Sequence, residues 1–400
     1  MPSDPLFDSQ ESLVDRKKIL SYTRILNHLF EHGSNSIAKL AKEIHTSVPS
    51  VTAMLDELKQ HEWVREKGAS KTKSGRRPVN YGINGSKKVA LVLDINLYET
   101  NFIFINLNNE IITKTSFEID LEKETYLKEI IREVDQLLKI NDQPWAIGIS
   151  APGLIETESG LNYTHQNLNK ESKSLALVLE EKYKLHVFNI NDTRASLLGE
   201  HHYGLARNKK NVLLVNLDWG VGLGILHNGQ IVEGAAGFAG ELGHVQVYPD
   251  GELCACGKIG CLETVASAST IVRKAKAGLK EGKATSLNQE NKDLFLSDVI
   301  AAAINGDEFS IDIIYEVGRE LGKGLAMAVH LFNPETIIID GILKNAGDLI
   351  VSTVKQSINK YCLVPFKQNL DVIISPLGDD AKVYGTKSFV FKKMMEYYAN

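Results

Sequence analysis

The sequence predicts an α/β protein: an N-terminal winged helix-turn-helix over residues 1–86, then a duplicated α/β domain over residues 87–400. Three observations lead there. Apolar residues recur at helical spacing on both sides of a three-residue turn near position 46. Two short strand patterns then flank a basic, glycine-containing stretch. Further on, a strand–aspartate–hairpin pattern occurs twice, 124 residues apart.

Ile19, Tyr22, Ile25, Leu26 and Leu29 fall three or four apart and mark a helix over about 14–31, stopped at His32-Gly33. Ile37, Leu40, Ala41 and Ile44 mark the next, behind the cap candidates Ser34 to Ser36. The turn His45-Thr46-Ser47 leads to Pro49 in a first helical turn and to Val48, Val51, Leu55 and Leu58, expected on one inward face. Trp63-Val64 and the alternation Val79, Tyr81, Ile83 read as strands around the loop 68–75. The strand 88–94 ends in Asp94 and is followed by Phe102, Phe104, Asn106, an Asn108-Asn109 turn and Ile111-Ile112. The strand 212–218 ends in Asp218 and is followed by Gly220 to Gly224, an Asn228-Gly229 turn and Ile231-Val232. A duplicated unit of this kind implies a ligand cleft between two lobes, one of about 87–200 plus a C-terminal helix at about 380–400, the other of about 201–379. That last helix carries Val383, Tyr384, Phe389, Phe391 and Met394 beside Lys387, Lys392 and Lys393, and reads as lobe packing.

Composition excludes several classes. With 43% apolar and 24% charged residues the chain is of ordinary globular type, and 31 glycines and 10 prolines are too few for a low-complexity protein. No 18-residue apolar run is present, which excludes membrane insertion, and the polar, acidic start lacks a signal-peptide pattern, so the cytoplasm is expected. The net charge of −5 is uneven: residues 1–86 carry 13 Lys/Arg against 10 Asp/Glu, the rest 32 against 40. Between positions 63 and 79, Arg65, Lys67, Lys71, Lys73, Arg76 and Arg77 face only Glu66, a footprint suited to nucleic acid. In such a motif the second helix enters the major groove, where Ser47, Ser50, Thr52 and Ala53 are short enough to approach base edges. Lys71, Lys73, Arg76 and Arg77 of the wing would meet phosphates, with Gly75-Arg76-Arg77-Pro78 able to place an arginine in a narrow minor groove. Operator DNA is therefore the expected partner, the plainer alternative being a small helical protein-interaction module.

The strongest chemical signal is His244 followed by Cys254, Cys256 and Cys261. Three thiolates and one imidazole complete a tetrahedral zinc shell with no open position for an activated water, so the expected Zn2+ is structural. Cys362 stands alone and reads as a small packed residue.

Gly240-Glu241-Leu242-Gly243-His244, the block from Cys254 to Glu263, Asn191-Asp192 and the upstream helix-turn-helix together resemble the ROK family of bacterial sugar kinases and sugar-responsive repressors. The resemblance implies an actin-like (ribonuclease H-like) two-lobed sugar kinase fold with zinc near a sugar pocket. It also implies that Asp192 matches the kinases' catalytic base and that Asn191, Glu241, His244 and Glu263 match sugar ligands. Gly220, Gly153 and Asn167 resemble further positions lining the sugar site. Carboxylates and amides suit a polyhydroxylated ligand because they offer several acceptors and donors. His244 would serve metal and sugar at once, one ring nitrogen to each.

The departures from the kinase pattern point to function. The family's first glycine-rich turn reads Asp94-Ile95-Asn96-Leu97-Tyr98 here, the second reads Asp218-Trp219-Gly220, and a later Gly-Gly reads Asp340-Gly341. Bulk and negative charge replace bare backbone where phosphates would sit. The expectation is a sugar-responsive transcriptional regulator, a repressor, without productive ATP binding. A sugar or amino-sugar, free or phosphorylated, would act as effector on a homodimer or tetramer reading half-sites about 34–36 Å apart. The alternative is an ATP-dependent sugar kinase with an accessory N-terminal domain, kept open by Asp192.

Overall fold

The computed structural model describes residues 4–7, 13–69, 79–288 and 294–400. They fall into two compact units, Met1–Asp192 with Thr386–Asn400, and Thr193–Gly385.

The first unit opens with helix α1 (Leu13–His32), strand β1 (Asn35–Ser36), helices α2 (Ile37–Glu43) and α3 (Val48–Gln60), and strands β2 (Val64–Ala69) and β3 (Val79–Ile83). Local chemistry sets these boundaries. Ser36 caps α2 by accepting from the Lys39 amide, and Ser47 caps α3 by accepting from the Ser50 amide, with Pro49 in the first turn. The three strands pair antiparallel in the order β1-β3-β2, which makes the wing. Leu40, Val51, Leu55 and Leu58 are buried against Ile25, Leu26 and Leu29. Val48, expected on that inward face, is instead 49% exposed. It stands at the first helical position, ahead of the turn that reaches the core.

The same unit continues with β4 (Val89–Ile95), β5 (Thr100–Asn106), β6 (Ile111–Phe117), α4 (Tyr126–Ile140), β7 (Ala146–Ala151), β8 (Asn169–Lys170), β9 (Lys173–Ser174), α5 (Leu175–Tyr183) and β10 (Val187–Asn191). Its five-stranded sheet runs β10-β7-β4-β5-β6, with β10, β7 and β4 parallel and β4-β5-β6 an antiparallel meander.

The winged module shares its core with this sheet's surroundings. Phe391, Met394, Met395 and Tyr398, from the C-terminal helix, lie in one apolar cluster with Leu26, Trp63 and Ala90. Phe30 stacks on Phe391 at 4.0 Å between centroids, Phe7 on Tyr398 at 4.1 Å, and Trp63 meets Trp145 edge-on at 5.7 Å. Asp4 seals one edge, accepting from the Trp63 indole at 3.0 Å and from Lys88 at 2.7 Å. Lys387 is fully buried here, donating to the Asn109 side-chain carbonyl and lying 5.3 Å from the Phe30 ring.

The second unit contains α6 (Asp192–Tyr203, entered from the first unit's last residue), β11 (Val212–Leu217), β12 (Val221–His227), β13 (Gln230–Ile231), α7 (Glu263–Ala266), α8 (Ala268–Lys280), α9 (Leu296–Ile304), α10 (Glu308–Phe332), β14 (Thr336–Asp340), α11 (Asp348–Tyr361), α12 (Val364–Lys367) and β15 (Asp371–Ile374). The terminal helix α13 (Asp380–Ala399) begins here and passes into the first unit at Thr386. The sheet order β13-β12-β11-β14-β15, with a meander on one side and parallel strands on the other, repeats that of the first unit strand for strand. The duplication read from the sequence is thus a duplication of sheet topology. Helix α10 buries Ile313, Ile314, Val317, Leu321, Leu325 and Val329 in the second core.

Burial pulls the Lys387 ammonium down to about 7, so the folded chain sheds a proton that the unfolded chain keeps up to the ordinary lysine range. Between pH 7 and 10 the unfolded state therefore binds more protons, and stability from this site rises with pH by roughly 3–5 kcal/mol. In denaturant titrations across that range, Lys387→Met is expected to flatten the rise; parallel curves for the two proteins would refute the assignment.

Candidate functional site

Three groups of residues carry chemistry, and each is built by local structure. The first is the exposed face of α3. Tyr22 and Lys18 of α1 both bind the Glu57 carboxylate, the lysine at 2.6 Å, which fixes α3 on its support. Of the residues expected to read bases, Ser47 is committed to capping: its hydroxyl lies 2.8 Å from that of Ser50 and accepts the Ser50 amide at 3.3 Å. Thr52 donates its hydroxyl proton to the Val48 carbonyl at 2.9 Å. Val48, Pro49, Ser50 and Ala53 are exposed. Lys39 and Lys42 on α2 are exposed as well and were not singled out from the sequence, although their place opposite Leu40 and Ala41, on the helix that crosses the DNA backbone in this motif, was a readable signal. Lys71, Lys73, Arg76 and Arg77 lie outside the described residues.

The second group is the cluster His244, Cys254, Cys256 and Cys261, whose ligand atoms all lie within 4.8 Å of one another. His244 Nδ1 is 3.7 Å from Cys254 Sγ, and Cys256 and Cys261 Sγ are 3.6 Å apart. Zinc bonds of about 2.3 Å to sulfur and 2.0–2.1 Å to nitrogen, set tetrahedrally, put ligand atoms about 3.5–3.8 Å apart, so the donor set fits the ion. The charges fit too. Burial pushes the Cys254 thiol up to about 12 and raises Cys261. For Cys256 burial works the same way, but the Lys258 amide and the two neighbouring thiols outweigh it and lower the thiol. Without a cation the three cannot all ionise; a divalent ion relieves that repulsion. Short bridges, Gln246 with Cys261 and Leu253 with Ile259, shape the loop. Tyr248 donates to Glu320 at 2.5 Å, Lys323 binds both, and Arg273 pairs with Glu252, so the loop is clamped to α10 and α8.

The third group comprises the residues matched to sugar ligands, described unit by unit. In the first unit Asn191 Nδ2 donates to the Gly153 carbonyl at 3.1 Å, so these two predicted residues meet, while Asn167 donates to the Leu121 carbonyl at 3.2 Å. Gly153 sits at φ 91°, where an added Cβ would stand 2.8 Å from Thr164 Cβ and 3.0 Å from Asn162 Oδ1. Asp192 opens α6, placing its carboxylate in the helix's first turn. In the second unit Glu263 accepts the Val221 amide at 3.1 Å, and its carboxylate fills the space that a Cβ on Gly220 would need. The Glu241 carboxylate lies 3.8 Å from His244 Nε2, on the ring edge opposite the cysteines. Partial burial raises the Glu241 carboxyl, with His244 pulling the other way. Asp218, in the turn where the kinase pattern has bare glycine backbone, accepts the Ile342 amide at 2.7 Å, and Trp219 packs on the core.

A winged helix-turn-helix carried on a twice-repeated α/β sheet, with a His/Cys3 cluster in the second repeat, defines a winged-helix variant of a sugar-kinase architecture. The chain belongs to the ROK family, whose profile matches residues 91–393, and residues 20–67 match the MarR family. It is 30% identical over 381 residues to the xylose repressor of Caldicellulosiruptor bescii, covering 93% of this chain and 96% of that one. It is also 40% identical over 243 residues to the glucokinase of Halalkalibacterium halodurans, covering 60% of this chain and 74% of the relative. Among solved structures, a ROK family transcriptional regulator described as a homolog of the E. coli Mlc protein superposes with TM-score 0.83 at 27% identity, over 96% of this chain and 99% of the other. The two-lobed ROK fold and the winged N-terminal module expected from the resemblance are therefore those of this protein. Among the described residues no helix is long and apolar enough to cross a membrane.

Because of its positive φ and crowded surroundings, Gly153→Ala is expected to destabilise the chain by about 1–3 kcal/mol. Urea titration reads this directly; a loss below the measurement error would show that the 152–165 loop yields.

Proposed function

We propose that the protein is a cytoplasmic, sugar-responsive transcriptional repressor that binds operator DNA as a homo-oligomer through its winged helix-turn-helix. The observation that carries the reading is the extent of relatedness: the match to a repressor runs through both the N-terminal module and the ROK region, whereas the match to a glucokinase covers 60% of this chain. In this reading α3 enters the major groove, Lys39 and Lys42 meet the backbone, and Lys71, Lys73, Arg76 and Arg77 supply wing contacts.

The effector is a sugar or amino-sugar held by Asn191, Asp192, Glu241, His244 and Glu263, with Gly220, Gly153 and Asn167 shaping the surroundings. The Nε2 edge of His244, facing Glu241, supports its double use, since the Nδ1 edge faces the cysteines. Zinc, when bound by His244, Cys254, Cys256 and Cys261, supplies a cross-link with no open coordination position. A sugar acts by binding more tightly to one of two states that differ in DNA affinity. Asp218, a carboxylate engaged by the Ile342 amide in a turn where the kinase pattern has bare backbone, supports a nucleotide side that does not bind ATP productively.

Titrating promoter DNA with the protein in the presence of a panel of free and phosphorylated sugars tests effector control. At least one sugar is expected to weaken binding tenfold or more, and uniform affinity across the panel would reject it. The second reading, a sugar kinase, is favoured by the glucokinase relative and by Asp192. Sugar-dependent ADP release that disappears in Asp192→Asn would establish it in place of the first.

For the metal, purified protein is expected to hold one equivalent of zinc by elemental analysis. Cys256→Ser, at an exposed position where packing is little disturbed, should lose it and lower the melting temperature by about 5 °C or more. Full stability and no metal in the wild type would overturn the assignment.

A further inference from the structure

We infer that α3 recognises its operator through the 5-methyl groups of thymine, with Val48 as the main contact and Ala53 and the Thr52 methyl beside it. The inference rests on the DNA-binding reading above and specifies what that helix reads.

The hydroxyls first expected to face base edges are largely occupied. The Ser47 and Ser50 hydroxyls bond each other, Ser47 also caps the helix, and the Thr52 proton goes to the Val48 carbonyl. Positions 47 to 53 hold no arginine, lysine, asparagine or glutamine, the side chains that make bidentate pairs with guanine or adenine in the major groove. Beside the exposed Ser47 and Ser50 the segment presents apolar surface. Val48 is 49% exposed at the first helical position, Pro49 and Ala53 are exposed, and Val51, Leu55 and Leu58 on the other face fill the core.

Val48, Pro49 and Ala53 together leave apolar surface at the start of the recognition helix open to a partner. The occupant follows from charge. Lys39 and Lys42 stand exposed on α2, the helix that crosses the phosphate backbone, and Arg65 and Lys67 stand exposed on β2. A polyanion that also offers apolar groups at groove depth is duplex DNA, and its only apolar major-groove feature is the thymine methyl. Discrimination would therefore come from shape and methyl burial, with the serine hydroxyls filling in around it.

The test replaces thymine by deoxyuridine, which removes the methyl and keeps every hydrogen-bonding group. The full chain is used to enrich a duplex from a random-sequence pool, and that duplex is remade with deoxyuridine at each thymine in turn for anisotropy titration at fixed salt. Loss of one well-packed methyl is expected to weaken binding roughly three- to fivefold at one or two positions in each half-site. Val48→Ala, a surface change, should weaken binding to the thymine duplex and shrink the deoxyuridine penalty at one position towards unity. Equal affinity for thymine and deoxyuridine duplexes at all positions overturns the inference with DNA binding intact, as does a Val48→Ala loss that is the same on both. Recovery of no sequence above the input pool overturns the DNA-binding reading itself and this inference with it.

Discussion

The structure depends on an aromatic seam in which the N-terminal segment and the C-terminal helix close around Trp145. Phe7, Phe30 and Trp63 from the N-terminal segment close on Trp145, Phe391 and Tyr398, and the rings meet in stacked and edge-on pairs. Such rings bury large areas each, and their geometry adds to what area alone provides. The seam makes the winged module part of the first unit's core, so α3 is presented on a surface supported from behind. A second consequence is the burial of Lys387, which the seam's packing encloses while Asn109 and the Phe30 ring receive its ammonium. A lysine there lowers stability at neutral pH in exchange for a polar tie between the β5–β6 turn and α13.

The two metal-side clamps show a different economy. The loop from His244 to Cys261 has few buried apolar side chains of its own, and turns held by glycine supply its shape. It is tied at Tyr248 to α10 through Glu320 and Lys323, and at Glu252 to α8 through Arg273. A metal held there, as proposed above, would give rigidity where burial cannot; the second nitrogen of His244 faces Glu241. Gly220 and Glu263 form a similar pair: the carboxylate accepts the Val221 amide and occupies the volume that only glycine leaves free.

Much of this was legible because the signals were local. The caps Ser36 and Ser47, the helical periodicity around them and the asparagine-bearing turns are each encoded within a few residues. The gathering of His244, Cys254, Cys256 and Cys261 was legible for the same reason, the four lying within eighteen positions. What stayed hidden depends on residues distant in sequence or on exposure. Strand β1 has two residues and no period to detect; it exists because Tyr81 and Asn80 are there to pair. Val48 fits the apolar spacing of α3, yet at the first position that face points past the core. Lys387 is polar by type, so it does not read as core; only its spacing from Val383, Val390 and Phe391 places it on the buried face of α13.

The seam also limits how this architecture can be rearranged. A fragment beginning near residue 87 would uncover the sides of Phe391 and Tyr398 that Phe30 and Phe7 stack on, leaving an adhesive apolar strip on α13. Grafting a head of different sequence specificity onto this body would therefore require exchanging the last turns of the chain along with the first eighty-six residues, since the two ends are complementary halves of a single packed interface.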